Sequence, residues 1–172
     1  MNFLKSSFLR GKSSLNKQDN KKTVILRAVL LSCVLFFFII FSSWASDSDN
    51  LIVAAEDGDI SKVEILIDKG ADVNAKNKYG GTALIGASLK GHIDVVRMLI
   101  DKGADVNAKT KAGWSALIGA SKYGHIDVVK VLIDNGADVN AKANKGDTAL
   151  KRAEKLERPD IVQLLKNAGA TE

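Results

Sequence analysis

Gly70, Gly103, Gly136 and Gly169 stand 33 residues apart, and an alanine follows each of them. Leu51, Leu84, Leu117 and Leu150 keep that spacing, as do Ala54, Ala87, Ala120 and Ala153. Blocks 80–112 and 113–145 agree at 23 of 33 positions. A fixed period of this length predicts a solenoid, in which each unit buries its apolar side only against its neighbours.

The local signals divide each unit into two short helices and a loop. Thr82, Ser115 and Thr148 are N-cap residues, each leading into an apolar run: ALIGAS, ALIGAS and ALKRA. Lys90-Gly91 and Tyr123-Gly124 end that first helix with a glycine able to take positive φ. A second helix is predicted from Ile93 to about Lys102, with Val95, Val96, Leu99 and Ile100 on one face. Gly103 closes it. The stretch ADVNAKNKYGG predicts a hairpin-like turn with short extended pieces.

The blocks GGTALIGASLKGHIDVVRMLIDKGADVNAK and GWSALIGASKYGHIDVVKVLIDNGADVNAK resemble ankyrin repeats, of the kind found in exported bacterial proteins. The resemblance covers about residues 48–172. It implies an all-α solenoid of about four helix-turn-helix units, at about 48–79, 80–112, 113–145 and 146–172. Ala83, Ala116 and Ala149 stand where the family prefers Pro, and Ile85, Ile118 and Lys151 where it prefers His. Alanine is a good helix former, so the fold expectation survives. The missing imidazole predicts looser links between units. Lys151, Arg152, Lys155 and Glu157 make the last unit polar where inner units are apolar or neutral, as a capping unit requires.

Residues 1–45 have another character. Through Ser46 there are seven basic residues against one acid, Asp19, and Ala28–Phe41 reads AVLLSCVLFFFIIF without a charge. A basic segment, an apolar run and small residues at Ser43 and Ala45 fit a secretory signal peptide cut after Ala45. The charge-free stretch Ala28–Ser46, at about 1.5 Å per residue, also suffices for a hydrophobic helix anchored in the membrane. Either way the lysines hold the N-terminus in the cytoplasm and send residues 46–172 outward, to the periplasm or beyond. The only cysteine, Cys33, lies in the leader, so the repeats carry no disulfide or thiol chemistry. From Asp47 onward 18 Lys and Arg meet 19 Asp and Glu. The basic pI of 9.3 therefore belongs to the leader and does not argue for nucleic acid.

Nothing points to catalysis, a metal or a cofactor. His92 and His125 occupy one slot in successive units, about 8–10 Å apart for packed helices. That is too far to share a zinc whose ligands sit at about 2.0–2.1 Å. Ser88, His92 and Asp94 recur as Ser121, His125 and Asp127, which marks a framework rather than a triad. No G-x-S-x-G, H-E-x-x-H, G-x-x-x-x-G-K-[ST] or G-x-G-x-x-G occurs.

The family resemblance implies a protein partner held on a concave side built from hairpin tips and the exposed end of the first helix. Carried onto this sequence, the tip slots are Lys78 and Tyr79, Lys111 and Trp114, and Lys145 and Asp147. The helix slots are Leu89 and Lys90, then Lys122 and Tyr123. Tyr79, Trp114 and Tyr123 are the only aromatics after Ser46, and all three fall in these slots, where hot spots are expected. Trp114 shares its slot with Gly81 and Asp147, which predicts a position outside the packing. The segments 75–81, 108–114 and 141–147 hold six lysines and one acid, favouring an acidic protein partner, and with no exposed apolar helix outside the leader a monomer is expected. The competing reading is a binder of anionic non-protein material at the envelope, such as lipid head groups, through the same lysines.

Overall fold

The first helices of the second, third and fourth units begin where a hydroxyl replaces the missing intrahelical acceptor. In the computed structural model, which describes residues 47–171, Thr82, Ser115 and Thr148 accept from the amides of Ile85, Ile118 and Lys151. The leader, its apolar run and the cut after Ala45 lie outside the described residues. The helices are α1 (47–57), α2 (Ile60–Asp68), α3 (Ala83–Lys90), α4 (Ile93–Asp101), α5 (Ala116–Tyr123), α6 (Ile126–Asp134), α7 (Ala149–Lys155) and α8 (Pro159–Asn167).

The two helices of a unit are buried differently, and their sequences explain it. From Ala83 to Ser88 every residue of α3 is buried, and so is every residue from Ala116 to Ser121 in α5. An inner row results: α3 packs on α5, and α5 on α7. Small residues allow the close approach. A Cβ on Gly119 would lie 2.9 Å from Leu89 Cδ2. The second helices bury one stripe only, such as Val95, Val96 and Leu99 of α4, and show solvent the rest.

The expected extended pieces are absent among the described residues, where no strand forms. The reason is local. Asn77 Oδ1 accepts from the amides of Tyr79 and Gly81, which removes two donors a ladder would need. What remains is a turn with one backbone bond to the next unit, from Lys111 N–H to Tyr79 C=O at 2.9 Å, repeated by Asn144 N–H to Ala112 C=O at 3.1 Å.

With the imidazole of the first helix lost, other side chains link the units. The Nε2–H of His92 donates to Glu56 C=O, and that of His125 to Leu89 C=O, both at 3.0 Å. Each ring lies on the glycine that ends the preceding first helix. A Cβ on Gly91, whose φ is +81°, would sit 2.5 Å from His125 Nδ1. Glycine is therefore demanded there by backbone and by ring together. A second set of links comes from Asn74, Asn107 and Asn140. The amide group of Asn107 donates to Gly136 C=O at 3.0 Å while its oxygen accepts from Asp138 N–H at 2.8 Å. Asn74 and Asn140 repeat both bonds with Gly103 and Asp105, and with Gly169 and Thr171.

One residue breaks the backbone rule. Glu157 follows the last first helix where Gly58, Gly91 and Gly124 stand in the other units, and it has a φ of 54°. A side chain in the left-handed region is strained by contact with its own carbonyl. Glu157→Gly is expected to raise stability by roughly 0.5–1 kcal/mol. A urea melt with an unshifted midpoint would show that the strain is relieved elsewhere.

Candidate functional site

Between the first helices of the second and third units lies a cavity of about 300 Å³. Ile85 and Leu89 of α3 form one side, Trp114 and Ser115 at the start of α5 the other, and Tyr79 and Lys111 close it from the turns. Its walls are almost wholly apolar. The 33-residue period creates it: the slot of Leu89 and the slot of Trp114 face each other only across neighbouring units. The volume is at the small end for ligand sites and suits one bulky apolar side chain better than an organic cofactor.

Four residues singled out from sequence meet here: Tyr79, Leu89, Lys111 and Trp114. Tyr79 is 65% exposed at the turn tip, with Lys78 Nζ 5.0 Å from its ring centre. Leu89 is half-buried and packs against the core. Lys90 and Lys145 are exposed and do not line the cavity. Tyr123 is also outside it, 49% exposed, stacked on His125 with ring centres 6.4 Å apart. Its hydroxyl accepts from Lys122 Nζ at 3.3 Å.

Trp114 corrects the expectation drawn from its variable slot. It is half-buried and packs against the hydrophobic core rather than standing clear of it. Lys122 Nζ and Arg152 Cζ each lie 5.2 Å from its ring centre, within range of cation–π attraction. Asp147 does not present a free carboxylate, because it is ion-paired with Arg152 and thereby holds the guanidinium over the indole. The slot tolerates Gly, Trp and Asp because the next unit changes with it: Arg152 replaces the glycine found at Gly86 and Gly119. Sequence reasoning missed Arg152, Ile85 and Thr110 as parts of this region. Only Arg152 carried a signal, as the one charged residue in a slot otherwise filled by Val53 and two glycines.

The histidines are engaged in linking units, and among the described residues no group of three His, Cys, Asp or Glu is placed to hold a metal ion. No helix among the described residues is long and apolar enough to cross a membrane. A family model described as ankyrin repeats (3 copies) matches residues 32–110, 51–143 and 109–171. No curated protein matches the chain.

Proposed function

Because the chain belongs to the ankyrin repeat family, we propose that it is a protein-binding module that takes one partner on its concave face, outside the cytoplasmic membrane. Ankyrin repeats generally mediate protein–protein interaction and typically do no chemistry of their own. The observation that carries the binding mode is the apolar cavity between Leu89 and Trp114, open among lysines. A lysine stripe alone would serve a polyanion; an apolar cavity within it favours a protein, whose side chains combine charge with bulk. The module binds as a monomer, and binding holds, inhibits or stabilises the partner. Capture by the full-length chain, with mass spectrometry of what remains bound, tests this. Binding that falls steeply with salt and is indifferent to Trp114→Ala would favour the anionic, non-protein ligand instead.

The outward location rests on the leader: seven basic residues precede an apolar run, the arrangement of a secretory signal or an N-terminal anchor. A phosphatase fused after Glu172 is expected to be active only as an exported enzyme. The mass of the mature chain separates the two leader forms, an N-terminus at Ser46 for a cleaved signal and a retained Met1 for an anchor. A fusion that is made in full but stays inactive would remove the location.

A further inference from the structure

The first helices carry one slot whose charge changes along the array. It holds Glu56 in the first unit, Leu89 in the second, Lys122 in the third and Lys155 in the fourth. Glu56 and Lys155 are exposed, and Leu89 and Lys122 are half-buried. The concave row thus runs from acidic through apolar to basic, and the cavity beside Leu89 sits where the sign turns over.

Resting on the protein-binding reading above, we infer that the occupant is an extended acidic segment with a fixed direction. One uncharged bulky side chain fills the cavity, and carboxylates follow on the side that runs toward the last unit. Three features support this. The cavity walls are almost wholly apolar, with Lys111 as the one charged residue lining them, so filling the space with a charged group costs more hydration than filling it with an apolar one. The indole face is already held between Lys122 and Arg152, each 5.2 Å from the ring centre, so a cationic anchor would meet like charge. Beyond the cavity, toward the last unit, Lys122, Lys151 and Lys155 face an approaching chain, whereas toward the first unit Glu56 and Asp57 offset the attraction of Lys76, Lys78 and Lys90.

The geometry also sets a spacing. Packed units lie about 8–10 Å apart, and an extended chain advances about 3.3 Å per residue. About three residues of the occupant therefore cover one unit. Because the cavity lies between the second and third units, an acid one or two positions from the anchor reaches the third unit's lysine, and one about four or five away reaches the fourth's.

A random peptide library displayed on phage, panned against the full-length chain, tests the inference. Enriched peptides should share an aliphatic or aromatic residue with Asp or Glu on one flank only. Against synthetic copies of them, Lys122→Glu should weaken binding tenfold or more, well beyond Lys122→Met, which gives up the same charged contact with the indole without reversing the charge. The same substitution should spare a copy in which the acids are replaced by glutamine. Enrichment of neutral or basic flanks, enrichment of no common pattern, or indifference to Lys122→Glu overturns the inference. None of those results touches the broader reading, which fails separately if the captured protein partner binds Trp114→Ala as well as the parent.

Discussion

Leu117→Ala is expected to lower the stability of the array by about 2–5 kcal/mol, the range for an aliphatic side chain removed from a full core. Leu117 is 1% exposed and lies on α5, which packs against α3 on one side and α7 on the other. Its loss therefore weakens two interfaces at once. Small single domains have about 5–15 kcal/mol in total, so this one change removes a large share. Urea denaturation followed by circular dichroism reads it directly. A loss below about 1 kcal/mol would mean that α3 and α7 close over the gap, which the tight inner row argues against.

Trp114→Ala should act on stability and binding together. The indole packs against the core and lies between Lys122 and Arg152, so its removal is expected to cost about 1–3 kcal/mol. It also deletes one wall of the cavity, and partner capture should weaken about tenfold to thirtyfold, the effect of losing an aromatic anchor. Trp114→Phe separates the two. It keeps an apolar wall and most of the packing, so stability should largely return, and with it much of the binding. A Trp114→Ala protein that melts like the parent would restore the reading of this slot as free of packing.

Those two residues mark what the sequence makes legible. Leu117 recurs in every unit, and recurrence at the repeat spacing identifies a position that all interfaces share. The N-caps Thr82, Ser115 and Thr148 were readable for a different reason: their bonds close within three residues, so the local pattern contains both partners. Trp114 is another case. Its environment is set by Arg152 and Asp147 of the following unit, and comparing Trp114 only with Gly81 and Asp147 in its own slot hides a change made jointly with a second slot. The histidines show the same limit. Their turn position was evident, but the bonds from His92 to Glu56 and from His125 to Leu89 span 36 residues and reach back into the preceding unit. Position along the chain names the slot; the acceptor belongs to the stacking of units.

The asparagine bridges have a consequence for how such a chain can lengthen. Asn74, Asn107 and Asn140 each join their own unit to the next through partners 29 and 31 residues onward. Every such bond is satisfied by whichever unit comes next, provided that it presents a glycine carbonyl and the amide two residues beyond it. A tandem duplication of block 113–145 would meet both conditions at each new junction, because the inserted copy carries its own Gly136, Asp138 and Asn140. The joints are interchangeable couplings, so the gene can gain or lose whole units without a compensating change elsewhere. The Trp114–Arg152 pair is where that freedom stops: it ties the third unit to this particular fourth one, and an extra block between them would leave the indole facing Gly119 of the copy instead of the arginine.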